Sequence, residues 1–220
     1  MSDHLKVAII DYEMGNLFSV QRACEWAGLE GVITSDPARV RDADAVILPG
    51  VGAFGTAMET LDRKGLSHAI RDFIGYGRPF VGVCLGIQLL MSESSEFGRH
   101  LGLGILPGRV VNFEPVLGSG DLAKVPQMQW NRIHMARPEA WSGTLLDGLP
   151  DGEFMYFVHS YYVVPDDSSL VVATTRYGSV EFCSAVQKEN IYAYQFHPER
   201  SGPAGLHIYG SLAQRLSSGR

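Results

Sequence analysis

Residues 81–90 read VGVCLGIQLL, and this stretch decides the fold. An apolar run, PFVGV at 79–83, leads into Cys84, and a run with helical character follows it. Gly82 and Gly86 flank the thiol in a G-x-C-x-G pattern, the sulfur counterpart of the G-x-S-x-G nucleophile elbow. A nucleophile on so sharp a strand-to-helix turn sits in strained backbone. Side chains two residues before and after it would collide, and glycine at both places removes the collision. Such a turn lifts the sulfur above the carboxyl ends of the strands, where open α/β sheets bind ligands. The helix starting at Leu85 aims its positive end at the sulfur and favours the thiolate. The plainer reading is a buried structural cysteine in an apolar segment.

Working outward, strands and helices alternate. KVAII (6–10) is a strand, and LFSVQRACEWA is an amphipathic helix that Asn16 can cap and Gly28 can close. GVITS (31–35) is a second strand, DPARVRDA a short helix, and ADAVILP (43–49) a third strand. Residues 53–61 and 66–76 read as helices before the PFVGV strand. These strands are apolar throughout, which predicts a mostly parallel sheet covered on both faces. The second half differs. ILPGRVVNF, VPQMQWNRI, EFMYFVHSYYVV, SLVVATTRYG and EFCSAVQKENIYAYQF are strand-like, with a hairpin turn at Lys188-Glu189-Asn190. They predict antiparallel strands added to the sheet or packed beside it. Gly202 to Leu216 is a terminal helix. With no repeat, low-complexity segment or linker, residues 1–220 are expected to form a single α/β domain.

Composition narrows the function. The 220 residues carry a net charge of −6 and no basic run, a poor match to a phosphate backbone, so no nucleic-acid partner is expected. No apolar stretch reaches the roughly 18 residues of a membrane span, and MSDHLKVAIID lacks a signal-peptide pattern. Three cysteines suit free thiols in a cytoplasmic protein better than a disulfide framework.

A thiolate needs a base. Of seven histidines, His197 stands out because it follows the strand-like IYAYQF and opens H-P-E. Pro198 keeps His197 out of the helical region, and in extended chain residues i and i+2 share a side. Glu199 can then orient the imidazole while the other ring nitrogen faces the thiol. An oxyanion also needs donors. The Leu85 amide is one, and the glycine-rich loop PGVGAFG after the third strand can supply another. Gly50, Gly52 and Gly55 also spell G-x-G-x-x-G, the dinucleotide fingerprint. Against that reading, the loop follows the third strand, and the acid expected about 20 residues on is missing. His134 and His207 have no partner at metal-ligand spacing, so no metal is expected. Cys24 and Cys183 read as buried small apolar residues; for His159 a place near the site and a structural role both stay open.

Together LPGVGAF, GVCLGIQLL and FHPE resemble the class I (triad) glutamine amidotransferases. More narrowly, DYEMGNLFSV, PGVGAFG, VPQMQWN, YFVHSYY and FHPERSG are similar to the glutamine amidotransferase subunits of imidazole glycerol phosphate synthase, over nearly the whole chain. The resemblance implies that family's flavodoxin-like α/β fold. It implies that Cys84 attacks the side-chain amide of L-glutamine, with His197 shuttling the proton and Glu199 orienting it. Val51, Gly52 and Leu85 would form the oxyanion hole. Gly50, Gln88, Glu96, Ser160 and Tyr161 would hold the substrate. Ammonia would pass to a (β/α)8-barrel synthase or cyclase subunit in a heterodimer, contacted through Met128, Trp130, Asn131 and Arg200. No cofactor is implied. The family's free subunit is nearly silent until its partner docks, and PGVGAFG can hold its donor N–H turned away until then.

Three departures stand out. The family's usual V-P-H-M-G-W-N is Val125 to Asn131, VPQMQWN, here; Arg200 replaces a common lysine; and SSEFGRHLGLG differs slightly. They leave open a paralogous subunit that supplies ammonia to a sugar-modifying partner in surface polysaccharide synthesis. A stand-alone cysteine hydrolase of the same fold stays open too, as does a non-catalytic binding module that uses the glycine loop. For Met128 and Trp130 themselves, core packing competes with an interface role.

Overall fold

The computed structural model describes residues 5–113 and 123–218; His4 lies outside them. The elements, in chain order, are β1 (Lys6–Ile10), α1 (Leu17–Trp26), β2 (Glu30–Thr34), α2 (Pro37–Asp42), β3 (Ala45–Leu48), α3 (Phe54–Arg63), α4 (Leu66–Gly75), β4 (Phe80–Val83) and α5 (Leu85–Leu89). Short strands β5 (Glu93–Ser94) and β6 (His100–Leu101) follow, then β7 (Gly108–Asn112), β8 (Gln127–Arg132), β9 (His134–Met135), β10 (Phe154–His159) and β11 (Tyr161–Pro165). The chain closes with β12 (Val171–Tyr177), β13 (Val180–Lys188), β14 (Ile191–Tyr194) and α6 (Gly202–Ser218).

Five strands, in the order β2-β1-β3-β4-β14, are parallel, the flavodoxin-like arrangement. Alternation explains why both faces must be covered. Val7 and Ile9 of β1 point into one apolar cluster with α1 and α6, while Ala8 and Ile10 point into the other with α2, α3 and α4. Each strand therefore reads as a continuous apolar run. Beyond β14 the sheet continues through antiparallel β13, β11 and β7. A two-residue turn at Glu189 and Asn190 closes the β13–β14 hairpin, with Lys188 opposite Ile191; Glu189 has φ 50°, as such tight turns require.

Some elements differ from their sequence expectation. Asn16 starts α1, but its side chain makes no capping bond. EFMYFVHSYYVV is two strands in two sheets, broken at Ser160. β10 pairs with β8 as a separate two-stranded sheet, and β11 joins the main sheet. SLVVATTRYG opens inside a single 3-10 turn, Ser168–Leu170, and the strand begins at Val171. The helix after Cys84 is only five residues long. Met128 and Trp130 are 62% and 50% exposed, so core packing does not explain them.

The glycines that shape the elbow give a sharp test. A Cβ on Gly86 would lie 2.0 Å from the Leu48 carbonyl oxygen, backbone that cannot move aside. Gly75, at the end of α4, has nothing within 4 Å of such a Cβ. Gly86→Ala should cost more than about 3 kcal/mol or abolish folding, while Gly75→Ala should be neutral or gain up to about 1 kcal/mol. Urea unfolding of the two variants beside the native chain measures both; equal effects would show the elbow is not tightly packed.

Candidate active site

Four strand ends converge at the carboxyl edge of the parallel sheet. β4 delivers Cys84, β3 the loop beginning Pro49-Gly50, β1 Tyr12, and β14 the run to His197. Cys84 has φ 53° and ψ −107°, backbone that non-glycine residues rarely adopt. The amide of Cys84 donates to Tyr194 O at 2.8 Å, and the Ile87 amide donates to Cys84 O at 3.1 Å, so the strained residue is pinned from both sides. At Gly82 an added Cβ would press on Gly86 and Ala193 at 3.1–3.2 Å, and at Gly86 it would strike Leu48. Both glycines thus serve the elbow in the way the pattern predicts.

Glu199 and His197 are brought together by a different route than expected. His197 is extended, but Pro198–Arg200 is a 3-10 turn, so Glu199 folds back under the ring. His197 Nδ1 lies 2.8 Å from Glu199 Oε1, with the two side chains only 3% and 2% exposed. The other ring nitrogen, Nε2, is buried with no hydrogen bond of ordinary geometry. Burial opposes a charge on this ring, yet the Cys84 sulfur and then Glu199 outweigh it, and His197 is pushed up to about 10. Sulfur, imidazole and carboxyl group thus stand in one array that favours the protonated His197 ring.

A cavity of about 270 Å³ opens beside the sulfur, lined by Val51, Gly52, Cys84, Leu85, Gln88, Glu96, Pro126, Val158, His159, Ser160 and Tyr161. Six of the expected oxyanion and substrate residues are therefore on its wall besides Leu85. Gly50 lies just behind: its carbonyl accepts from the Leu85 amide at 3.3 Å. The Leu85 amide, an expected oxyanion donor, is thus already occupied, and the carbonyl of the Gly50–Val51 peptide faces it. Glu96 Oε2 accepts from the Phe54 amide at 2.6 Å, filling the start of α3. A Cβ on Gly55 would meet the His100 ring at 2.7 Å. The third glycine of the G-x-G-x-x-G run therefore makes room for a side chain of this protein. Among the described residues no group of three metal-ligating side chains comes together.

Sequence reasoning missed two residues here. Tyr12 is fully buried and donates to Pro49 O at 2.7 Å. Its hydroxyl lies where a Gly50 Cβ would be, 2.1 Å away. Burial, and then the Cys84 sulfur, raise its pKa. Gln195 is also fully buried, with Nε2 at 3.8 Å from Cys84 Sγ. No motif marks it: β14 pairs with β4, Tyr194 opposite Val83, and that register sets Gln195 beside Cys84. His159, for which a place near the site and a structural role both stood open, is on the cavity wall; its Nδ1 bonds Tyr161 O at 2.8 Å, and burial pushes it down to about 3. Asn131 Nδ2 donates to Arg176 O, and Asn131 Oδ1 accepts from the Arg132 amide. Arg200 lies over the Tyr156 ring, which itself meets Trp130 edge-on. Cys24 and Cys183 are buried, and burial pushes each up to about 12.

The class-I glutamine amidotransferase family profile matches residues 8–210, and the chain belongs to that family. Within it, the chain is 51% identical over 203 residues to the imidazole glycerol phosphate synthase subunit HisH of Syntrophotalea carbinolica, covering 92% of this chain and 96% of that protein. It is 49% identical over 211 residues to the subunit of the same name from Geobacter sulfurreducens, covering 95% and 98%. Two solved structures share the fold: a glutamine amidotransferase (TM-score 0.68, 19% identity, 94% and 98% covered) and PurLQS from Thermotoga maritima (TM-score 0.72, 19% identity, 97% and 99% covered).

The raised His197 has a sign that can be checked. Its unfolded value is about 6.5, so its contribution to stability is complete below that pH. The contribution is lost as pH rises through about 10. Replacing Glu199 with Gln should lower the midpoint of the His197 ring in an NMR titration and flatten the fall in stability between neutral and alkaline pH. A midpoint that ignores Glu199 would contradict the assignment.

Proposed function

We propose that this chain hydrolyses L-glutamine through a thioester on Cys84 and delivers the ammonia to a synthase subunit in histidine biosynthesis. The single observation that carries the reading is the strained Cys84 beside a buried His197–Glu199 pair at 2.8 Å, opening onto a cavity of amino-acid size. The relatives at 51% and 49% identity favour the histidine pathway over a polysaccharide role.

The proposed steps are these. His197 takes the thiol proton, and the sulfur adds to the amide carbon of glutamine. The oxyanion is held by the Leu85 N–H and the Val51 N–H, with Gly52 giving the loop its freedom. His197 gives its proton to the departing nitrogen, ammonia leaves, and a glutamyl thioester remains. Water, deprotonated by His197, attacks the thioester; glutamate leaves and the thiol is restored. Glu199 holds the imidazole throughout. Gln88, Glu96, Ser160 and Tyr161 orient the substrate from the cavity wall.

The same geometry favours a silent resting state. The Leu85 N–H is bonded to Gly50 O, so the oxyanion hole is formed only when the Gly50–Val51 peptide turns over. Gly52 at φ 109° and the lack of a Gly50 side chain allow that turn. Val51, 44% exposed, together with Met128 and Trp130, offers a surface through which a partner can drive it. A (β/α)8-barrel subunit, docked there as a heterodimer with Asn131 and Arg200 at its margin, is the proposed partner, and the cytoplasm the proposed setting. No described helix is long and apolar enough to cross a membrane. One glutaminase unit then spans residues 1–220.

Glutamine hydrolysis by the purified chain is expected to be slow alone and to rise by at least about 100-fold with the synthase subunit and its phosphoribulosyl ligand. It should vanish in Cys84→Ala under both conditions. Full activity without any partner would remove the gating and favour a stand-alone hydrolase.

A further inference from the structure

Resting on the reading of Cys84 as the nucleophile, a second residue can be assigned to the reacting sulfur. Gln195, two residues before His197, is fully buried. Its Oε1 accepts from Gln88 Nε2 at 3.1 Å, and its Nε2 lies 3.8 Å from Cys84 Sγ. Which end of each amide is nitrogen follows from an atom that cannot be turned round. Tyr161 O is a backbone carbonyl and can only accept. The Gln88 atom 3.0 Å from it must therefore be the NH2 nitrogen. The second neighbour of that nitrogen must also be an acceptor, which fixes Gln195 Oε1 toward Gln88. The amide nitrogen of Gln195 is the end left facing the sulfur. His159 Nδ1, 2.8 Å from the same carbonyl, is a second donor that holds it in place.

We propose that Gln195 is a catalytic residue that donates an N–H to the Cys84 thiolate. In the thiol form the S–H is directed at Val158 O, 3.8 Å away. Once the proton passes to His197 the sulfur can only accept, and the Gln195 N–H becomes a donor to a charged atom. An uncharged amide loses no proton, so it favours the thiolate at every pH. The titratable groups around the sulfur are Tyr12 from the end of β1, Glu96 after β5, His159 from β10, and the His197–Glu199 pair after β14. Of these, Glu96 is held by the Phe54 amide and His159 stays neutral.

The test reads the thiol directly. Alkylation of Cys84 by iodoacetamide is followed against pH in the native chain, Gln195→Met and Gln195→Glu, with the labelled residue identified by peptide mass spectrometry. Cys24 and Cys183 are buried, with thiols pushed up to about 12, so they stay silent. Gln195→Met keeps the length without the donor and should slow alkylation at pH 7 about tenfold; its profile moves to higher pH while its plateau rate is unchanged. Gln195→Glu, near-isosteric, should slow it further and guards against a folding failure of the first variant. A native-like profile in either folded variant overturns the assignment. Labelling at a residue other than Cys84 would instead overturn the nucleophile on which it rests.

Discussion

The contact on which the structure depends is the approach of the Gly86 backbone to the Leu48 carbonyl. A methyl group there would sit 2.0 Å from the oxygen. Because α5 can lie that close to the end of β3, Cys84 is forced to φ 53°, above the sheet edge and beneath the glycine loop. Tyr12 extends the same principle one layer out. Its hydroxyl occupies the space a Gly50 side chain would need and ties the loop through Pro49. Strain at one residue is balanced by packing at several, and the packing is possible only because glycine stands at each point of contact.

Two polar systems then meet at the sulfur. One is the His197–Glu199 pair, sealed from water, where the Cys84 sulfur and then Glu199 favour the protonated ring against the cost of burial. The other is neutral: Tyr161 O, Gln88 and Gln195, whose donor directions are set by a backbone carbonyl. Both are rigid. The mobile part of the proposed mechanism is confined to one peptide, Gly50–Val51, which in this structure offers its carbonyl to Leu85. In that proposal chemistry and control are separated: the array around Cys84 is built into the fold, while access to the oxyanion donors is left to a glycine-flanked loop.

Much of this was legible in the sequence because local rules governed it. Apolar runs 79–83 and 43–49 became parallel strands, since burial on both faces leaves no alternation to read. The elbow followed from Gly82 and Gly86, and His197 from its position before proline. What was not legible depended on tertiary choices. Residues 153–164 carry one strand-like pattern, and only the competing partners β8 and β7 show why the chain changes sheets at Ser160. Glu199 reaches His197 through a 3-10 turn that no periodicity announces. Asn16 has a capping residue's chemistry but makes no cap. Tyr12 and Gln195 carry no motif of their own and gain their roles from what the fold sets beside them.

The most direct test is to look for the covalent intermediate. The chain, with its partner subunit and ligand bound, is mixed with L-glutamine, quenched in acid within the first turnovers, and digested for mass spectrometry. A single glutamyl group on the peptide holding Cys84, absent from Cys84→Ala, is the predicted result. No adduct during active turnover, or an adduct on any other residue, would contradict a Cys84 thioester and with it the account of the site.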